Sequence, residues 1–544
     1  MQKASIALLA LVLLTVSLNL ALAGSSRLPG STERVSISSV GLEGDGESND
    51  PSVSEDGRYV VFDSEASNLT LDDYNGVGDV FLRDRQLGTT IKITGWGGGG
   101  GGMISGNSCC IVFNSSDSNL VPGDTNGTID VFVYTIQTGE MERVSVSSSG
   151  EQGDGHSHFS SISASGRYVV FLSASSNFAS LAFNGWSQLF VHDRETGFTE
   201  LITVNVNGEM SQGFHSYPTV SSDGRYVAFS TLASDLVAND TNGESDVFVR
   251  DREAGLMMRV SVSSSGEEGN DSSTIPAISA DGRYVVFVSS ADNLVEGDIN
   301  DSSDTFVYDL WAGEIDLVSL STEEEQAETS SSGTLSEDGH YVVFNSRAAN
   351  LVAGDTNGRT DVFRRDRLLG ITERLSVDSV GQEGNDSSSH GYVSADGRYV
   401  VFDSFSTNLV NGDTNGVEDS FFHDRPPTTL TLNYATGAPG STFTLTGGAY
   451  PLTATATITV NGYTLGTLPT DASGGFTALL TTANADPGAY FVTAGVEPYE
   501  VTVWFVLDPN AEVRPPDGEG PIFDIPAGLA WDVALFPLMR HDES

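Results

Sequence analysis

The chain reads as an all-β protein: a seven-bladed β-propeller with four-stranded blades, followed by a small β-sandwich. Three observations predict this. One phrase of roughly 58 residues recurs seven times between about Glu33 and Arg425, with Asp56, Asn107, Ser165, Asp223, Asp281, Asp338 and Asp396 at equivalent places. Each copy holds only short β-rich segments and turn residues, so no copy buries its own faces and the copies must stack. Finally, the strand count closes a ring, as follows.

The fourth copy shows the blade most clearly. Tyr217-Pro218-Thr219-Val220-Ser221 is a first strand, ended by the tight turn Asp223-Gly224. Arg225 to Ser230 is apolar on both faces, as a strand covered on both sides should be. A polar loop leads to Asp246, then Val247-Phe248-Val249-Arg250 forms a third strand. After the turn Arg252-Glu253-Ala254-Gly255, Met258 to Val262 alternates in period two as a fourth. Four antiparallel strands repeated radially make propeller blades.

Seven copies of the first three strands lie between Asn49 and Arg425. Fourth strands are expected at 90–94, 142–147, 200–204, 258–262, 315–320 and 372–377, after the first six copies. The seventh copy runs into Pro426-Pro427 instead. Its missing strand is expected at the other end of the chain, Glu33 to Ser38, closing the circle and removing the open edge. The propeller is thus expected over residues 33–425.

From Thr428 the texture changes. Thr/Ala/Gly-rich strands at 441–446, 456–460, 475–481 and 490–494, with turns at Asn461-Gly462, Ser473-Gly474-Gly475 and Asp486-Pro487-Gly488, predict a sandwich over 428–506. Residues 507–544 are proline-rich and expected to be largely irregular, and their apolar patch is interrupted by Asp532 and Pro537.

Residues 1–23 carry Lys3, an apolar run and Ala21-Leu22-Ala23, the pattern of a secretory signal, which places the mature protein outside the cell or at its surface. The formal net charge of −49 argues against nucleic acid and anionic membranes as partners and for cations or basic ligands. No later segment is long and apolar enough to span a bilayer. The only cysteines, Cys109 and Cys110, are adjacent. Strand alternation would send them to opposite faces, so packing rather than a vicinal disulfide is expected. A monomer is expected.

The motif with most chemical content joins the second and third strands. Six copies read Asp-x-Asn-x-x-x-Asp: Asp73/Asn75/Asp79, Asp124/Asn126/Asp130, Asp240/Asn242/Asp246, Asp298/Asn300/Asp304, Asp355/Asn357/Asp361 and Asp413/Asn415/Asp419. The third copy has Ala182, Asn184 and Gln188. Two readings stand side by side. Calcium takes six to eight oxygens, and alternating oxygen side chains around a turn can supply some of them. Asp and Asn also bond their own backbone in turns, and Asn-Gly turns readily without any ion.

In an up-and-down blade these loops share a face with those entering the first strand, which are acidic too (Glu43, Asp45, Glu151, Asp154, Glu267, Glu268, Glu383, Asp386). A carboxylate-rich face around the axial channel is expected, able to recruit cations or a basic ligand. His156, His158, His215 and His390 fall near the channel mouth and read as loop residues. No Gly-x-Ser-x-Gly, His-Glu-x-x-His or sialidase-type Asp turn occurs.

The segments Ser54-Glu55-Asp56-Gly57-Arg58-Tyr59, Ser279-Ala280-Asp281-Gly282-Arg283-Tyr284 and Ser394-Ala395-Asp396-Gly397-Arg398-Tyr399 resemble the WD-like propeller repeats of the TolB type. The stretches Ala438 to Gly447 and Asp471 to Phe476 resemble bacterial immunoglobulin-like domains. These resemblances imply the fold, whereas function lives in sites grafted on it. The expectation is a non-catalytic extracellular propeller that binds or scaffolds a protein, peptide or glycan. The alternative is a secreted hydrolase or lyase, acting on glycan or peptide, that uses the acidic channel face.

Overall fold

The computed structural model describes residues 30–425, 429–450, 455–471, 474–496 and 499–531. The expected signal at 1–23, the Pro426-Pro427 junction, Ser473 of the 473–475 turn and the end of the tail from 532 lie outside them. Two compact units divide the chain, one spanning Thr32–Pro426 and the other holding the C-terminal residues.

The first unit is a β-propeller of seven four-stranded antiparallel sheets. The closing strand is real: Ser31–Arg34 is the outermost strand of the seventh sheet, joined to Asp419–Asp424. Observed fourth strands begin one to two residues earlier than expected, for example at Glu140–Arg143 and Phe198–Leu201. The physical reason lies just beyond them. Val144 still donates to Val131 O, but Val146 then folds back on Val144 O and bridges Gln152, so the chain has already turned into the next entry loop.

Each blade keeps one stacked phenylalanine pair between its second and third strands. Phe62–Phe81, Phe229–Phe248 and Phe402–Phe421 are typical, with ring centroids 5.8 to 6.1 Å apart and every ring fully buried. These offset pairs are the repeated core of the ring. The Ser-x-Asp-Gly-Arg-Tyr signature is equally structural. Asp56 accepts from Ser54 Oγ and the Arg58 N–H, closing the turn, and Arg58 reaches Asp84 at 2.7 Å. Gly57 (φ +65°) must be glycine, because a Cβ there would lie 2.7 Å from the Tyr399 ring of the neighbouring blade.

Blade two departs from this pattern, and so does its cysteine pair from expectation. Cys109 and Cys110 are disulfide-bonded to each other. The alternation argument fails because the strand begins only at Cys110, and Ser108 immediately before the pair turns the chain with φ 62°. Where other blades place a tyrosine ring against the adjacent glycine, this sulfur pair faces Gly166.

The C-terminal unit has two sheets around one buried core that includes Phe443, Leu445, Tyr450, Ile458, Tyr490 and Phe505. Its strands include Thr442–Gly448, Thr455–Val460, Phe476–Thr481 and Gly488–Val496. The segment after Leu507 is less irregular than expected. Ile522–Asp524 adds a parallel strand beside Phe476–Thr481, Ile525 is fully buried, and Trp531 bridges Ala489.

Candidate functional site at the propeller mouth

The expected metal residues form a repeated network whose centre is already taken by protein side chains. The last position of the fourth strand is a cation in five blades, and its charge sits between the two aspartates. Lys92 Nζ lies 3.0 Å from Asp73 and 2.7 Å from Asp79. Arg143 meets Asp124 and Asp130, Arg259 meets Asp240 and Asp246, Arg374 meets Asp355 and Asp361, and Arg34 meets Asp413 and Asp419, all at 3.1 to 3.7 Å. Glu43, Glu268 and Glu383 of the entry loops share the same guanidinium groups. In blade five the cation is replaced by Leu317, and Gln326 Nε2 donates to Asp298 at 2.7 Å and Asp304 at 3.0 Å. In blade three the carboxylates and the cation are lost together, leaving Ala182, Gln188 and Leu201.

The asparagines complete the turn. Asn75, Asn126, Asn242, Asn300, Asn357 and Asn415 each donate Nδ2 to the last Asp of their motif, at 2.8 to 3.2 Å. Their Oδ1 atoms accept the N–H two residues on, as at Val77 and Thr128. Asp240, Asp246 and Glu268 do converge closely enough for an ion, but Arg259 already stands among them. The expectation of calcium in particular has no support in this geometry.

A second set of residues, which the repeat motif does not reveal, surrounds the axis. The innermost strand of every blade breaks its ladder after its first one or two pairs, as between Asn49 and Ser52 or Ser389 and Tyr392. Within each break sits one residue of positive φ: Asp50, Gly101, Phe159, Tyr217, Ile275, Ser332 and His390, with φ from 48° to 68°. A bulky or β-branched residue in this region is an outlier costing of order 1–3 kcal/mol. Bulges of this kind re-aim side chains and cluster beside functional sites. Here they bring neighbouring blades into contact: Asp50 meets His390, and the Phe159 and Tyr217 rings lie 6.1 Å apart.

The mouth is therefore two-sided. Where blade seven meets blade one, His390 Nδ1 lies 2.8 Å from Asp403 Oδ2, and His390 Nε2 lies 3.9 Å from Asp50 Oδ1. Asp403 is fully buried and also accepts from Ser389 Oγ and the Asp50 N–H, so it is fixed from three directions. The hydrogen bond to Asp403 raises the imidazole to about 9. Burial, with Asp403 beside it, pushes Glu418 up to about 8. Burial also raises Asp50. Ligand atoms of Asp50, His390 and Asp403 lie within 4.8 Å of one another. The 3.9 Å between Nε2 and Oδ1 can be spanned by one divalent ion at bonds of about 2.1 Å, with Asp403 behind the imidazole as the usual supporting carboxylate.

Across the axis, blades three and four present aromatic rings instead. Phe159 and Tyr217 are 50% and 45% exposed, and His158 packs edge-on to Phe159. Phe214 and Trp186 stack edge to face at 4.8 Å just outside them. Below the mouth the channel narrows to a cavity of about 140 Å³ lined by aliphatic residues such as Val53, Ile104, Ile278 and Leu335. The opposite opening is acidic, with Glu55, Asp281, Glu337, Asp338 and Asp396.

Of the four histidines placed near the channel by sequence, His390 joins a carboxylate pair. His158 lines the aromatic side, and His156 accepts the Ile129 N–H. His215 is buried at the base of its strand against Phe229.

No family model matches the chain, and no characterised protein matches it in sequence. Among solved structures, an oligogalacturonate lyase in complex with manganese is similar, with TM-score 0.46 and 13% identity over 74% of this chain and 94% of that one. A putative TolB from Agrobacterium tumefaciens matches at TM-score 0.34 and 15% identity, over 62% of this chain and 94% of its own. The acylaminoacyl peptidase of Pyrococcus horikoshii matches at 0.43 and 10%, over 75% and 59%. The similar structures are mostly enzymes, so the expectation of a non-catalytic scaffold is withdrawn. At these identities the likeness concerns the fold, and chemistry has to be argued from the mouth itself.

Proposed function

We propose that this protein is a secreted hydrolase or lyase whose reacting centre lies at the propeller mouth, where blade seven meets blade one. The observation that carries this reading is the His390–Asp403 pair. A buried carboxylate holds Nδ1–H at 2.8 Å and leaves Nε2 facing an open mouth beside Asp50. That arrangement fixes the tautomer and direction of a proton-transfer group. Because the imidazole keeps its proton to about pH 9, His390 is the donor to a leaving oxygen or nitrogen at neutral pH. Asp50 is the neighbouring carboxylate that takes a proton, and Asp403 positions the ring. Titratable groups pushed to unusual values in a cleft are themselves the signature of such sites.

A second reading of the same atoms follows from the 3.9 Å gap. Asp50 and His390 would hold a divalent ion, which would supply Lewis-acid chemistry. The C-terminal unit, whose sequence resembles immunoglobulin-like modules, serves as an accessory appendage in this proposal, and the chain acts outside the cell as a monomer.

The test is a panel of glycan and peptide substrates, assayed for new reducing ends, new amines and unsaturated products, with and without chelator. Wild-type turnover lost in both His390→Ala and Asp403→Asn supports the reading. Chelator sensitivity assigns the ion. Turnover that survives both substitutions overturns the assignment.

A further inference from the structure

We propose that the aromatic residues of blades three and four form a binding track for a linear glycan without acidic substituents. The track would lay the chain across the mouth toward His390. This rests on the reading of the mouth as the reacting centre, and it adds the substrate class and the residues that hold it.

The track has two platforms. Phe159 and Tyr217, each about half exposed, meet across the blade boundary at the inner rim. Phe214, 68% exposed, and Trp186 form the second. Phe214 lies three residues before Tyr217, just ahead of the strand His215–Val220, so the two platforms' backbones are at most about 10 Å apart. Such spaced, open rings suit successive sugar units, whose C–H faces pack on aromatic faces while hydroxyls stay in contact with water.

The position of these rings argues that they were not placed for packing. Phe159 and Tyr217 occupy positive-φ positions, at 48° and 49°, where blade two has Gly101. A bulky residue is strained there, and a ring left half in solvent recovers little of that cost by burial. At the outer platform, Trp186 and Phe214 stand where the boundary between blades seven and one has Val417 and Glu47. The aromatic side is thus confined to one boundary, opposite the His390 cluster.

Charge selects the class of glycan. Asp50, Asp403 and Glu47 stand against the single imidazolium of His390 on the facing side, within a chain of net charge −49. A polyuronate or sulfated chain would be repelled on approach, whereas a neutral chain is indifferent and amino groups are attracted.

The test measures binding apart from turnover, by calorimetric titration of the full chain carrying His390→Ala. The probes are cellohexaose, xylohexaose, a chitosan hexamer, hexagalacturonate and an unstructured neutral peptide. Binding of a neutral or amino-sugar hexamer is expected. In the Phe159→Gly/Tyr217→Gly variant it should weaken roughly tenfold or more. Glycine is the residue that blade two carries at this bulge, so that variant should fold, as an unchanged melting curve would confirm. Trp186→Ala should weaken binding less, and Tyr217→Phe should keep it. The proposal is overturned if hexagalacturonate or the peptide alone binds, if nothing binds, or if the double glycine variant binds as tightly as its parent. Glycan binding through these rings with no turnover by the parent protein would leave the track standing and remove the proposed reaction.

Discussion

Carboxylates gather at two places on the same face of this propeller, and the two are built in opposite ways. In the loops between second and third strands, Asp pairs recur blade after blade and each is closed by a protein cation or amide, as Arg259 closes Asp240 and Asp246. At the mouth, Asp403 and Asp50 recur nowhere else as a set, and His390 between them stays more than half exposed. What repeats is answered internally and serves the fold. What differs between blades at one equivalent position stays largely exposed at the mouth, as at His390, Phe159 and Tyr217. Proteins commonly keep a functional site at some cost in stability, and the six non-glycine bulge residues of positive φ fit that pattern.

The comparison breaks most visibly if the repeated network is cut where the ring closes. Deleting Ser31–Arg34 removes the outer strand of blade seven and takes Arg34 from Asp413 and Asp419. The loss should exceed the roughly 3–5 kcal/mol of one unpaired buried charge. A bare sheet edge should also promote self-association. Thermal melting and size-exclusion chromatography check this, and an unchanged monomer with an unchanged melting point would refute it.

Next in size is Arg259→Leu, which copies the leucine of blades three and five. With Asp246 fully buried and Asp240 already raised to about 6 by burial and by Asp246, the substitution should cost about 3 kcal/mol in urea unfolding. Adding Asp240→Ala and Asp246→Gln reproduces the blade-three set and should recover most of that loss, a coupling a mutant cycle detects. Arg259→Leu should leave the response of the melting temperature to chelator as it is in the wild type, because side chains and not an ion hold this network.

How far sequence reaches follows from the same contrast. Seven blades, their three inner strands and the N-terminal closure were legible because period and alternation are local signals, repeated often enough to average out noise. The Asp-x-Asn-x-x-x-Asp motif was visible too, but not its counter-charge. Lys92 and Arg143 lie 13 residues after Asp79 and Asp130 on another strand, and only the ladder shows that they face those carboxylates. The matching loss in blade three, where Leu201 accompanies Ala182 and Gln188, was the available clue. The mouth was least legible. A bulge leaves no period, and the residues it aligns (Asp50, Phe159, Tyr217, His390) are of no single chemical type. Their one sequence signal is that they differ at a fixed distance before the turn that follows each inner strand, as Asp50 before Asp56 and His390 before Asp396.

A third test uses His215, which stands where blades one, three, five, six and seven begin their inner strand with serine. Burial holds its imidazole at about 4, against 6.5 for the free group. Between those values the unfolded chain binds the proton and the folded chain does not. Stability is therefore complete above about pH 6.5 and falls as pH drops toward 4, by on the order of 3 kcal/mol. His215→Ser should flatten much of that acid limb in urea unfolding followed from pH 7 to 4. His423, lowered by burial to about 3, should retain its own share.

The smallest effect on stability should accompany the largest effect on function. Asp50 makes no ion pair with Lys or Arg among the described residues; burial raises its carboxyl, His390 opposes that and Asp403 adds to it, and the net direction is upward. Asp50→Asn keeps the size of the side chain and a residue type that tolerates positive φ. It should change unfolding free energy by no more than about 0.5 kcal/mol, with any change toward greater stability. If Asp50 takes the proton or holds an ion, the same variant should lose most turnover while glycan binding at the aromatic side is kept. Urea unfolding and steady-state kinetics on one preparation separate these outcomes. A variant that is clearly destabilised but fully active would place Asp50 with the repeated carboxylates of the outer loops, and the division between the two regions would fail at its most direct point.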